Sequence, residues 1–325
     1  MKMPTMNCFG RSVATAVVLI TMLIVTLPAR AADPRVDLDH DAESGTIQVA
    51  VRGEHVTTLH YGDEARTPFL WPLKAEGGVG VTRNYPMGTD EPASEDHPHH
   101  RSLFLTYGDV NGYDHWHNET IRTREVETGK GDDHAWIRLH NEWLNREAEP
   151  VLRERQELRF YDTSAAARTI DVMSRLEAAY GDVVFGDDKE GLMAFRIRPE
   201  IQGNRAGVLT NAEGEQGEAH VYGEPSPWMD YSGPIEGHGV RGIALFDHPD
   251  NFRHPTFWHV RDYGLAAANP FGARSVGGED RDGGHTLREG DSMTFVYRIL
   301  VHSGDARDAR ISRHYRRFAE TPHPK

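Results

Sequence analysis

Cysteine, net positive charge and membrane-length apolar runs are what this sequence has least of. Its 325 residues hold 1 cysteine, Cys8. Cys8 precedes the apolar stretch 13–27, so it is not the lipidated residue that follows a lipoprotein signal. With no thiol after that point, thiolate nucleophiles, cysteine-ligated zinc and iron–sulfur chemistry are excluded. An exported chain without disulfides depends on its core alone, and this length can bury enough apolar surface for that.

Lysine and arginine number 36 against 50 aspartate and glutamate, a formal charge of −14. Nucleic acid and anionic membrane surfaces both demand a basic face, so neither is an expected partner. Neutral, cationic or sugar-like ligands, small molecules or oligosaccharides, fit the balance. The only strongly apolar run is 13–27, shorter than the roughly 20 residues of a spanning helix. Lys2 and Arg11 flank it without an acid, and Ala29-Arg30-Ala31 places small residues where a signal peptidase reads. Residues 1–31 are therefore expected to be a cleaved signal peptide, with an uncleaved N-terminal anchor as the alternative, and 32–325 one exported domain, periplasmic or extracellular.

No repeat or low-complexity linker divides that domain. Its dominant pattern is period-two alternation broken by Gly, Pro, Asn and Asp: Ile47, Val49 and Val51; Ala135, Ile137 and Leu139; Ile170, Val172 and Leu176; and most clearly Met293, Phe295, Tyr297, Ile299 and Val301. The polar stretch 153–161 keeps the alternation at Leu158 and Phe160 and is expected to be a strand facing solvent. Only the end of the chain has a helical period. There Ile311, Tyr315 and Phe318 recur after Asp305, which is positioned to cap the first turn. The expected fold class is all-β: a large antiparallel β-sandwich on the order of 15 strands with a C-terminal helix. Residues 181–191 and 272–290 are expected to be turn-rich loops.

Histidine, at 19 residues, is unusually frequent and clustered. His97, His99 and His100 fall within six residues and Arg101 follows them. Extended geometry would put His97 and His99 on one face and His100 on the other. Burying imidazoles without partners is costly, so they are expected to line a wet cavity or hold a ligand. His97 and His99 are the metal-ligand candidates, with His115 or His117 completing a set. Asn111-Gly112 is a hairpin turn signal. Trp116, between two histidines, is the indole expected to stack on a sugar ring. Asp187, Lys189 and Glu190 lie in a charged loop bounded by glycines, where Glu190 beside Lys189 suits proton transfer. Farther on, His259 and Arg261 share one face of a strand whose other face carries Trp258 and Val260, and Asn269 follows in an Asn-Pro turn.

The strings DHPHHRSLF at 96–104, GDVNGYDHW at 108–116, FGDDKEG at 185–191 and WMDYSGP at 228–234 occur in one order. FDHPDN at 246–251, HPTFWHVRDYGL at 254–265 and ANPFG at 268–272 continue it. In that order they resemble the PmoA-like family, a domain of unknown function often labelled methane oxygenase. The resemblance covers nearly the whole mature chain. It implies an exported β-rich protein found with sugar-catabolic partners, with a β-supersandwich like that of galactose mutarotases. Aldose mutarotases are similar in pairing a histidine acid with a carboxylate base and needing no cofactor. By role, that implies His100 or His259 as acid and Glu190 as base, with His99, Arg101, Asn111, Trp116, Asp187, Lys189, Arg261 and Asn269 binding substrate.

Three functions follow as expectations. The first is a secreted carbohydrate-active enzyme doing acid–base chemistry: epimerisation, mutarotation or elimination-type cleavage. The second is a histidine-ligated enzyme holding a divalent metal. The third is a non-catalytic glycan-binding module using Trp116, Trp228 and Trp258 as stacking platforms.

Overall fold

Alternating apolar residues sort this chain into strands whose inner faces meet in one core. A computed structural model describes residues 1–4, 35–89, 95–280 and 282–322. The segment read as a signal peptide lies, past Pro4, outside the described residues.

Strands β1 to β5 span Val36–Asp41, Thr46–Val51, Glu54–His60, Phe69–Leu70 and Leu103–Tyr107. Strands β6 to β9 follow at Ile121–Lys130, His134–Leu144, Pro150–Tyr161 and Ala167–Glu177. Next come β10 to β13 at Val183–Phe185, Gly191–Arg196, Val208–Asn211 and Trp228–Ile235, with a one-turn helix α1, Glu218–Val221, before the last. Strands β14 to β18 are Gly239–Asp247, Phe257–Arg261, Leu265–Asn269, His285–Leu287 and Ser292–Ser303, and helix α2 is Ile311–Ala319. The described residues thus form 18 strands, a few more than the pattern suggests. The extra ones include β10 and β17, a short ribbon inside the two segments expected to be loops.

One eight-stranded antiparallel sheet runs β1-β2-β3-β4-β5-β11-β16-β15, and a second runs β12-β13-β14-β18-β9-β8-β7-β6. Leu103, Leu105, Met193, Phe195, Trp258 and Val260 from the first share a core with Leu139, Leu158, Val172, Ile243 and Ile299 from the second. Each such side chain contributes about 1.5–3 kcal/mol when buried. Helix α2 covers the outer face of the second sheet, where Ile311 and Phe318 pack on Trp228, Phe246, Val296 and Leu300.

Two local expectations change. Strand β8 is not a solvent-facing strand with a few apolar anchors, because Glu154 and Gln156 point inward and are buried. The Glu154 carboxylate accepts from Ser174, Trp143 and Asn141 at 2.6, 3.0 and 3.1 Å, which satisfies a polar group at a core position. Asp305 caps the turn before α2, accepting from the Arg307 and Asp308 amides. The helix itself begins after Arg310, whose φ is 55°.

The outer face of the first sheet positions the site. Register places His60, Phe69, Phe104, Ala194, Ala267 and His259 side by side across six strands, in that order. Two alanines at the centre of that row make room for the Trp116 ring, which packs on them and on Phe104.

Candidate functional site

The loop at 96–101 covers this row and is held by two arginines that the sequence reading did not single out. Arg83 donates to Asp96 Oδ1 at 2.7 Å and to the His97 carbonyl at 2.8 Å. Arg196, on β11, donates to the same Asp96 oxygen at 3.2 Å and to His100 Nδ1 at 3.0 Å. Both guanidinium side chains are buried, and Arg196 also lies 4.3 Å from the Tyr263 ring centre. An isolated arginine in the apolar run 192–197 was the available signal, since a charge there requires a partner.

Anchored this way, the loop is not extended. His97 takes a φ of 45°, and its ring stacks on His100 at 4.8 Å and on Tyr263 at 5.2 Å. His99 meets His100 edge-on at 4.4 Å and His117 at 4.3 Å. The three imidazoles therefore form one cluster instead of occupying opposite faces. Burial holds His100 well below the ordinary imidazole range, helped by His99 and Arg196. Burial, with His117 and His97 beside it, lowers His99 to about 3.

Opposite this cluster, His259 projects from β15 towards Glu190. Its Nδ1 lies 3.6 Å from Glu190 Oε2, and both side chains are largely buried. Burial pushes His259 down to about 3, with the charges of Arg261 and Lys189 acting in the same direction. Glu190 is aimed by its loop. Tyr107 Oη donates to the Gly186 carbonyl and accepts from the Asp188 amide, while Asp188 Oδ1 accepts from the Glu190 amide at 2.7 Å. Lys189 Nζ lies 3.2 Å from Glu190 Oε1.

Several nitrogens here have no hydrogen-bond partner: His99 Nε2, His100 Nε2 and both ring nitrogens of His259. An unsatisfied buried polar atom costs about 1–3 kcal/mol, so a group of them on one sheet face marks a place for a ligand. Because Arg196 can only donate, His100 Nδ1 is the acceptor and its proton sits on Nε2.

Other expected site residues are engaged in packing or in hydrogen bonds, although His117 and Trp116 border the cluster, 4.3 Å from His99 and 5.5 Å from His100. Trp116 is fully buried against Phe104, Ala194 and Ala267 and is not an exposed platform, and Trp228 and Trp258 are buried as well. Asn111 forms the turn, with its side chain bonded to Val184 and Asp182. Asp187 accepts the amides of Arg274, Ser275 and Gly283, which ties down the loop after β16. Asn269 is buried, bonded to the Asp188 carbonyl and the Phe271 amide. Arg261 pairs with Glu218 at 3.3 Å and covers the Tyr222 ring. Arg101 turns away from the histidines, over Phe69. His115 is structural, donating from Nε2 to the Leu144 carbonyl at 3.0 Å, and His117 pairs with Asp114 at 2.9 Å. Among the described residues no three histidine or acidic side chains converge as metal ligands, so His97 and His99 do not assemble the expected set.

A family model described as a family of unknown function, DUF6807, matches residues 46–316. The chain belongs to the DUF6807 family. The matched span of that family contains every residue of the site just described. The match names DUF6807, and the PmoA-like likeness rests on the strings alone. No curated protein matches the chain. Among solved structures it is similar to the Slr1438 protein from Synechocystis sp. PCC 6803, at 10% identity and a TM-score of 0.33, over 86% of this chain and 100% of that one. A galactose mutarotase related enzyme from Lactobacillus acidophilus is similar at 10% identity and a TM-score of 0.29, over 82% and 97%.

Proposed function

We propose that this protein is an exported carbohydrate-active enzyme that moves a proton on a sugar or sugar derivative at the His259–Glu190 pair. One observation carries the reading: His259, buried and unpartnered at both nitrogens, stands beside the Glu190 carboxylate. The PmoA-like likeness adds the association with sugar catabolism, and no oxygenase chemistry is drawn from its label. Export is supported by the apolar stretch 13–27 and the Ala29-Arg30-Ala31 site. Edman sequencing of the protein recovered from its native cells should begin at Ala32, and an intact Met1 there would remove that part.

Burial, which lowers His259 to about 3, favours a relay. An imidazole that is uncharged at neutral pH cannot open the cycle as a cationic acid. It can relay. Glu190 takes the proton of the anomeric hydroxyl and passes it to His259 Nδ1, while His259 Nε2 gives its own proton to the ring oxygen. The sugar ring opens, the proton count is unchanged, and reversal recloses the ring on either face. His99 and His100, both neutral, hydrogen-bond hydroxyl groups; His100 does so as an Nε2–H donor.

The test is anomer exchange of a panel of aldoses and aldose derivatives followed by NMR. Glu190→Gln is expected to lower the rate by roughly two orders of magnitude or more while the thermal shift given by the same sugar persists. A Glu190→Gln protein with the wild-type rate would exclude the relay.

A further inference from the structure

The outer-face row does not end at Phe104. Beyond it, Phe69 and His60 floor a cavity of about 530 Å³. Ser44, Thr46, Met87 and Arg101 also line it, and Glu64 stands on its wall. Arg101 is half-buried, its guanidinium carbon 5.4 Å from the Phe69 ring centre. Among the described residues no carboxylate or carbonyl pairs with that guanidinium, and burial alone is what weakens its hold on its proton. Its neighbours differ. Arg66 donates to the carbonyls of His115, Trp116 and Glu119, and Arg83 and Arg196 share Asp96.

In a chain with 50 acids to 36 bases, a part-buried arginine would ordinarily find a carboxylate. Withdrawing a cation from water without a partner is unfavourable, and a guanidinium fork fits a carboxylate in bidentate fashion. His60 does not supply the missing charge: burial depresses it, and its Nε2 lies 3.3 Å from the Trp71 carbonyl. The remaining lining combines hydroxyls with the apolar faces of Phe69 and Met87, which suits an anion carried on an organic body.

We infer that this cavity binds the carboxylate of an acidic sugar unit on Arg101, and that the ligand is an acidic oligosaccharide. Length gives the second part. From Phe69 to His259 the row crosses four strand spacings, roughly 19 Å at about 4.8 Å each. One pyranose cannot reach both ends, so the charged unit and the reacting unit are different residues of one chain, which passes over the half-exposed His97 and His99. The assignment of the reacting unit rests on the function proposed above; the anion site does not.

Calorimetric titration of the full chain with trigalacturonate, its methyl ester and inorganic phosphate, at constant ionic strength, tests this. Trigalacturonate should bind at least tenfold more tightly than the neutral ester. Arg101→Gln should remove that difference and Arg101→Lys should retain part of it, and both variants should melt near the wild type because no partner among the described residues is orphaned. Failure of trigalacturonate to bind, ester binding as tight as the acid, or an Arg101→Gln protein that still discriminates would each overturn the inference. Phosphate competing as effectively as the oligosaccharide would show a free-oxyanion site and overturn the glycan assignment. A wild type that binds trigalacturonate but turns over no sugar removes the proposed chemistry and leaves the cavity's assignment standing.

Discussion

Arg196 donates to His100 Nδ1 at 3.0 Å from a fully buried position. That contact fixes the His100 proton on Nε2 and sets a permanent cation against the nitrogen that would have to be protonated. His100 is thereby a hydrogen-bond donor and not a proton shuttle, and the proposed relay accordingly runs through His259.

Kinetics should separate the two histidines. His259→Gln is expected to lower kcat by about two orders of magnitude or more, as loss of a general acid–base group does. His100→Gln, whose amide can still donate, should act mainly through KM. Equal effects of both substitutions on kcat would contradict the division of roles.

Acid should weaken the fold through the buried imidazoles. His259 is lowered to about 3 and His115 to about 4 from an ordinary 6.5, each chiefly by burial. Between those values the unfolded chain binds more protons than the folded one, so this stability is whole above about pH 6.5 and is lost as the pH falls towards 3. Each group adds a slope of up to about 1.4 kcal/mol per pH unit in that window. Urea unfolding at pH 7 and pH 5 should show the loss, and His259→Gln should lessen it; parallel behaviour of variant and wild type would mean His259 is not held neutral.

Trp116 belongs to the packing. It is fully buried in the cluster with Phe69, Phe104 and Leu265, so Trp116→Ala should cost about 3–5 kcal/mol in denaturant unfolding. The conservative Trp116→Phe should keep glycan affinity. A stable Trp116→Phe protein that binds no glycan would restore the stacking role.

Asp187 should act as a loop clamp. Its carboxylate receives three backbone amides, and Asp187→Ala leaves them without that partner at a cost of about 1–3 kcal/mol. Hydrogen exchange should accelerate at Arg274, Ser275 and Gly283 before other core-adjacent amides. Unchanged protection there would show that the loop is held by something else.

Much of the fold was legible because alternation records which face of a strand is buried. Met293 to Val301 reads directly as β18, and Ile311, Tyr315 and Phe318 read as α2. Strand β8 shows the limit of that reading. Glu154 and Gln156 are hydrophilic by type and inward by position, and only Asn141, Trp143 and Ser174, brought in from neighbouring strands, make that tolerable. Composition cannot announce a partner on another strand.

The site divides the same way. Sequence by itself determined that histidines and acids would concentrate in a few glycine-bounded segments of an all-β chain, since those residues and turns are local properties. Tertiary structure alone decided that His259 meets Glu190, that Arg83 and Arg196 fold the 96–101 loop so its imidazoles cluster, and that Trp116, Asp187 and Asn269 serve the scaffold. The physical reason is register: pairing of β5, β11, β16 and β15 sets far-separated residues side by side, and a one-residue slip would send each to the opposite face.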